Sequence, residues 1–176
     1  MKNRIIESKI FRLRPIVKSD IDAIVKYTND RSVTRYTFIP FPNTRENVVD
    51  FLKRSQRSEK KGTGLNFGIE YKATGEIIGA IGFNAINKNF NRGELGYWLA
   101  KKYRNEGIMT EAVRLVVKYA FTHMKLKRIH VFVEPDNIAS IKVLEKCGFE
   151  NEGLLKKFIK QKKRYKDMCI FAIINK

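Results

Sequence analysis

One stretch restricts the possible folds of this chain more than any other: Glu94-Leu-Gly-Tyr-Trp-Leu-Ala-Lys-Lys-Tyr-Arg-Asn-Glu-Gly-Ile-Met-Thr-Glu-Ala112. It reads as a strand, a short basic turn carrying one glycine, and an abrupt helix start. A helix that begins so sharply leaves its first backbone N–H groups unpaired and facing one point, with the positive end of the helix dipole behind them. Such a turn is an anion site, and a diphosphate suits it. A second strand, turn and helix follow at Arg128-Ile-His-Val-Phe-Val-Glu-Pro-Asp-Asn-Ile-Ala-Ser-Ile-Lys-Val-Leu-Glu-Lys-Cys-Gly-Phe149. Two strands with ligand-facing ends, one followed by a phosphate cradle, predict an enzyme that holds a long phosphorylated cofactor.

The remaining organisation agrees with one mixed α/β domain spanning 1–176. Ile10 to Arg14 alternates at period two and predicts a first strand. Ser19-Asp20 predicts the cap of a helix reaching about Asn29, with Ile21, Ile24 and Val25 inward. The aromatic segment Tyr36-Thr-Phe38-Ile-Pro40-Phe41-Pro42 is broken by prolines and predicts irregular structure. Asn43 followed by Glu46 reads as a capping box for a helix to about Lys60. Two antiparallel strands, Leu65 to Tyr71 and Glu76 to Phe83, join through Lys72-Ala-Thr-Gly75. After the Glu94–Ala100 strand come a helix from about Ile108 to His123, a strand at 128–134 and a helix at about 137–147. Two final strands lie near 154–160 and 166–174. The order β-α-α-β-β-β-α-β-α-β-β builds around one central sheet flanked by helices.

Composition excludes more than it identifies. A chain of 176 residues with 43% hydrophobic content buries a real core. No apolar run is long enough to span a membrane, and the N-terminus has no apolar segment with a small-residue cleavage site, so a cytoplasmic location is expected. Cys147 and Cys169 lack CxxC spacing and read as reduced core thiols. The charge is +18, from 36 Lys and Arg against 18 Asp and Glu. It suits nucleic acid, an anionic membrane or a polyanionic small ligand, and equally a lysine-rich solvated surface. The excess is densest in Lys156 to Lys166.

The turn Arg104-Asn-Glu-Gly107-Ile-Met109 is neither a P-loop nor a dinucleotide fingerprint. Arg104 offers a guanidinium suited to phosphate, Thr110 a hydroxyl at the helix start, and Gly107 a close backbone approach. An ordinary glycine-capped loop is the competing reading. The pattern R-x-x-G-x-[GA], met by Arg104, Gly107 and imperfectly Met109, resembles the GNAT superfamily of acyl-CoA-dependent N-acetyltransferases. Glu94-Leu-Gly-Tyr-Trp-Leu99, Thr110-Glu-Ala112, Asp136-Asn137-Ile-Ala-Ser140 and Leu144-Glu-Lys-Cys-Gly-Phe149 resemble its RimJ/RimL branch, which acetylates N-terminal amines of ribosomal proteins.

That resemblance implies a GNAT-type sheet whose strands at 94–100 and 128–134 splay apart to admit the pantetheine arm of acetyl-CoA. It implies pairing of that arm with the backbone around Trp98, Leu99 and Ala100. The pyrophosphate would sit on the N–H groups of Asn105, Glu106, Gly107, Ile108 and Met109, and Asn137 would hydrogen-bond the pantetheine. Two residues depart from the pattern. Met109 replaces a small residue at the end of the turn, and Leu144 stands where many relatives carry the tyrosine that protonates the leaving thiolate. Ser140 is then the candidate acid, with a small first-turn helix residue as the other reading.

Acetyl transfer needs a neutral amine, and a carboxylate removes its proton. Glu94 is the candidate base, or else a strand-edge salt-bridge partner; Glu70 and Glu134 are weaker candidates. His130 reads as structural, and His123 and His130 together build no metal site. Tyr36 and Phe38, with Phe41, either line an acceptor cleft or plug an apolar gap under a loop. The leading expectation is direct acetyl transfer to a protein N-terminal amine, a ribosomal protein among the candidates, by a monomer or homodimer. Ribosome or RNA contact would run through the 156–166 hairpin. The alternatives are a small antibiotic or polyamine acceptor, a basic RNA-binding protein without catalysis, and a ligand sensor on the same fold.

Overall fold

The computed structural model describes residues 4–161 and 164–176. Its strands are β1 (Ile6–Glu7), β2 (Phe11–Arg14), β3 (Leu65–Tyr71), β4 (Ile77–Asn87), β5 (Arg92–Leu99), β6 (Arg128–Val133), β7 (Glu150–Gln161) and β8 (Arg164–Ile174). The helices are α1 (Ile21–Thr28), α2 (Arg31–Thr34), α3 (Arg45–Lys61), α4 (Ile108–Thr122) and α5 (Ile138–Lys146). Among the described residues all eight strands form one sheet in the order β1-β2-β3-β4-β5-β6-β8-β7. Every neighbouring pair is antiparallel except β5 and β6, which run parallel.

Strand alternation divides the side chains between two layers. On one face Phe67, Ile69, Ile81, Phe83, Leu95 and Ile129 pack under α4 and α5, which contribute Ile108, Ala112, Val113, Val116 and Leu144. Each such fully buried side chain contributes about 1.5–3 kcal/mol through loss of water contact. On the other face Ile77 and Trp98 meet Ile21 and Ile24 of α1 and Val48 and Leu52 of α3.

The short elements β1 and α2 were not anticipated, because two- and four-residue segments carry no readable period. Two expected caps are replaced. Thr44, not Asn43, caps α3, its hydroxyl accepting from Asn47 N at 3.3 Å. Asn43 is instead buried, donating its side-chain amide to Thr28 Oγ1 at 2.8 Å. Asp20 does not cap α1 with its side chain; the carboxylate accepts from Val17 N and from both terminal nitrogens of Arg14. The basic hairpin is β7–β8, of which Lys162 and Lys163 lie outside the described residues. No helix among the described residues is long and apolar enough to cross a membrane.

Candidate functional site

The parallel pair β5–β6 holds together for three rungs only: Arg92 with Arg128, Gly93 with Ile129, and Glu94 with His130. Beyond Glu94 the strands part, and Leu95 to Leu99 stay paired on one side alone, to β4. A gap therefore opens in the middle of the sheet. Ala100 N–H donates to Ile78 O at 2.8 Å, so alternation turns the backbone groups of Trp98 and Gly96 toward β4 as well. Those of Leu95, Tyr97 and Leu99 face the gap. Of the expected trio Trp98, Leu99 and Ala100, only Leu99 turns its backbone away from β4, and its carbonyl accepts from Arg104 Nε.

Past β5 the chain makes a 3₁₀ turn over Lys101–Tyr103 and enters the phosphate-type loop. Asn105 at φ 66° and Gly107 at φ 78° both adopt the left-handed conformation, which lets successive N–H groups converge before α4 starts. Among the described residues no protein acceptor takes the N–H of Asn105, Glu106, Gly107, Ile108, Met109 or Thr110. A Cβ placed on Gly107 meets nothing within 4 Å, so the concave side of the turn is open. Met109 is buried beneath it and fits in place of the small residue without closing the turn. The Arg104 side chain is committed to the protein rather than displayed: Nε donates to Leu99 O at 3.3 Å and an Nη to Ser32 O at 3.0 Å. It ties the loop to the end of β5 and to α2.

The candidate acid and base lie on opposite faces of the sheet. Glu94, half-buried, is on the α1/α3 face at the last rung before the gap. Ser140, in the first turn of α5, is on the α4/α5 face, and its Oγ stands 2.7 Å from the Tyr97 hydroxyl. Sequence reading missed Tyr97. The available signal was its place two residues after Leu95 on a strand beside the gap. Burial pushes the Tyr97 phenol well above its ordinary pKa, so it stays protonated. Leu144 is fully buried and is packing, not chemistry.

Ion pairing separates the three carboxylate candidates. Glu70 is buried against Arg12 and Arg14. Burial tends to raise its pKa, but the Arg14 and Arg12 guanidiniums outweigh that and hold the carboxyl below the usual range. Glu134 is paired to Lys166 at 2.6 Å. Glu94 has no cationic partner within 4 Å among the described residues, which removes its salt-bridge reading. It opens onto a cleft of about 510 Å³ shared with His130. Burial, then Arg128 and Arg92, depress the His130 pKa and keep the ring neutral.

Asn137 caps α5, its Oδ1 accepting from Ser140 N at 3.3 Å, so it fixes the acid candidate's helix. Tyr36 reaches the same turn and donates to Asp136 O at 3.3 Å, while Gln161 of β7 donates to Thr37 O at 3.1 Å. The 36–42 segment thus straps the β6–α5 turn to β7. Phe38 is 75% exposed, so the apolar-plug reading fails for it. Cys147 and Cys169 are free; burial raises the Cys147 pKa, and its thiol donates to Thr110 O at 3.3 Å. No cluster able to hold a metal ion occurs among the described residues.

Comparison with known proteins follows the same geometry. Residues 11–150 match the family model described as the acetyltransferase (GNAT) domain. The chain is 35% identical over 165 residues to the N-acetyltransferase p20 of Bacillus licheniformis, covering 93% of this chain and 92% of that protein. It is 28% identical over 166 residues to the spermidine N(1)-acetyltransferase of Escherichia coli K12, covering 91% and 85%. A crystal structure of the ribosomal-protein-S5-alanine acetyltransferase from Vibrio fischeri superposes with a TM-score of 0.87 at 27% identity, covering 98% and 97%.

Proposed function

From the premise that this chain belongs to the GNAT family of acetyltransferases, we propose that it acetylates the N-terminal amine of a protein or peptide. Acetyl-CoA is its co-substrate, and acetyl transfer to an amine is its reaction. The residues of this chain fit that group. The open turn at 105–109 supplies converging N–H donors for a diphosphate. The edge of β5 beyond its last rung to β6 would supply the backbone of Tyr97 and the Leu99 N–H for an amide-bearing arm. Asn137, which caps α5, would hydrogen-bond the pantetheine through its side-chain amide N–H groups.

One observation carries the mechanism: Glu94 and Ser140 stand on opposite faces of the sheet at the point where β5 leaves β6. An acceptor on the α1/α3 face meets Glu94, which takes the amine proton directly or through water. The nitrogen then attacks the acetyl carbon, a C–N bond forms, and the C–S bond breaks. A backbone N–H of β5 turned to the gap stabilises the negative charge that builds on the carbonyl oxygen. On the far face the Ser140 hydroxyl gives its proton to the departing thiolate and is resupplied through Tyr97 or solvent. The Cys147 thiol is engaged with Thr110 O and Cys169 is buried in the core, and direct transfer needs neither as a nucleophile.

A peptide acceptor is favoured over a polyamine by charge. At +18 the protein repels polycations in the absence of an acidic pocket. The Vibrio fischeri relative, named for a ribosomal protein, agrees with the peptide reading; the Escherichia coli relative, named for spermidine, keeps the polyamine as the contrast to test. A ribosome-borne acceptor would bring RNA against the β7–β8 hairpin, with association weakening steeply as salt rises. The deciding experiment is thiol release from acetyl-CoA across N-terminal peptides, polyamines and antibiotic amines. Turnover on peptides supports the reading, and exclusive turnover on spermidine overturns it.

A further inference from the structure

The cleft below the gap has a charge pattern that the transfer chemistry alone does not require. Besides Glu94 and His130 it is lined by Arg92, Lys88 and Asn87. Arg92 and Glu94 sit two residues apart on the same face of β5, about 7 Å along the strand. Across the β4–β5 ladder Asn87 is the partner of Arg92 and Ala85 the partner of Glu94. Among the described residues neither Arg92 nor Lys88 has a carboxylate within 4 Å, in a chain where Arg12, Arg14, Arg45 and Arg128 all do. The Arg92 guanidinium is held over the Phe90 ring at 5.4 Å. The Lys88 ammonium lies against Gly62 at the C-terminal end of α3, which holds it at the rim.

One wall therefore offers a bare carboxylate at the gap and bare cations a strand-step below it. His130, opposite Glu94 on β6, lines the same cleft, its Nδ1 buried with no hydrogen-bond partner among the described residues. Unpaired charges of opposite sign, on β5 and the β4–β5 loop and lining one cleft, are complementary to a ligand carrying the reverse pattern.

We propose that this cleft selects an amine that carries its own carboxylate, with the amine at Glu94 and the carboxylate at Arg92 and Lys88. This rests on the acetyltransferase reading and narrows its acceptor. The strand spacing favours a separation of several ångströms between the two groups. A free α-amino acid bears both on one carbon. A peptide with Asp or Glu at its second or third position spans the distance. A polyamine is cationic at both ends and places a positive charge against Arg92, so the same two residues reject it.

The test is thiol release by the full-length chain with acetyl-CoA and four acceptors: a peptide beginning Ala-Glu-Glu, its Ala-Lys-Lys counterpart, free glutamate, and spermidine. The acidic peptide is expected to exceed the basic one by about tenfold or more in kcat/KM, the equivalent of ~1.4 kcal/mol. Arg92→Glu should reverse that order, and Arg92→Gln should level it. Both substitutions are at an exposed strand start, so folding is retained and is checked by thermal melting. A matching preference for free glutamate supports the carboxylate-bearing class and assigns its source to a small molecule. Equal rates for the two peptides, or spermidine as the best acceptor, overturn the proposal while leaving acetyl transfer intact. If no acceptor is turned over, the acetyltransferase reading fails separately. Calorimetric titration of the two peptides then decides the cleft: equal binding refutes it, and acidic-only binding lost in Arg92→Glu supports it.

Discussion

The hydroxyls of Tyr97 and Ser140 stand 2.7 Å apart and link β5 to α5 on the α4/α5 face of the sheet. The serine comes from the first turn of a helix capped by Asn137, and the tyrosine from a strand that β6 has left. Each orients the other beside the opening.

If this pair protonates the leaving thiolate, Ser140→Ala lowers kcat by about 10²-fold and leaves the KM for acetyl-CoA nearly constant. Tyr97→Phe keeps the ring and removes only the partner hydroxyl, so a smaller loss, on the order of tenfold, is expected. Because burial raises the Tyr97 pKa, the tyrosine adds no alkaline limb to the rate profile near neutrality. Steady-state kinetics of both variants check this; wild-type rates in both reject the assignment.

Glu94 should carry proton removal from the acceptor amine. Glu94→Gln is expected to lower kcat by about 10²–10⁴-fold in steady-state kinetics with the best acceptor. A rate near wild type in the variant would move the base elsewhere, with His130 across the ladder the next candidate.

Gly107 and Gly75 form a matched pair for the phosphate turn. Both have positive φ, 78° and 70°, and a Cβ on either meets nothing within 4 Å. Replacement by Ala costs each site about 1–2 kcal/mol of backbone strain. Only Gly107→Ala is expected to raise the KM for acetyl-CoA. Gly75→Ala, in the β3–β4 turn, should lower the melting temperature alone. A similar KM in both variants would show that residues 105–109 do not hold the pyrophosphate.

Glu70 gives a pH signature unrelated to catalysis. Its folded pKa lies below the unfolded value of 4.5, so its contribution is present above pH 4.5 and lost as pH falls from there through the lower folded pKa. Glu70→Gln should destabilise the protein by about 1–3 kcal/mol at neutral pH, since Arg14 keeps Asp20 and Arg12 reaches solvent, and should flatten the acid-side slope. Denaturant unfolding of both proteins from pH 7 to pH 3 measures it. An unchanged slope in the variant would assign the acid sensitivity to other groups.

The legible part of this chain was local. Period-two alternation ending in a basic turn, then apolar spacing of 3.6, marked β5, the 105–109 turn and α4 within a residue or two. Glu94 was proposed from its place on that strand and Ser140 from the family pattern, and the fold puts them on opposite faces of the sheet. That the backbone groups of Trp98 and Ala100 pair with β4 was not legible, because strand alternation decides which backbone faces a gap and its phase is set by the partner strand. Arg104 looked like a phosphate ligand until its carbonyl partners at Leu99 and Ser32 were in view. Asn43 and Thr44 compete for one cap, and burial against Thr28 settled which residue served it.

The sequence by itself determined the longer elements, their order and the open turn before α4, because these follow from contacts within a few residues. Tertiary structure alone decided where β5 and β6 part, which carboxylates are neutralised, and that Tyr97 meets Ser140. Those outcomes depend on residues separated by tens of positions, and pairing across such distances is fixed only when the whole core packs.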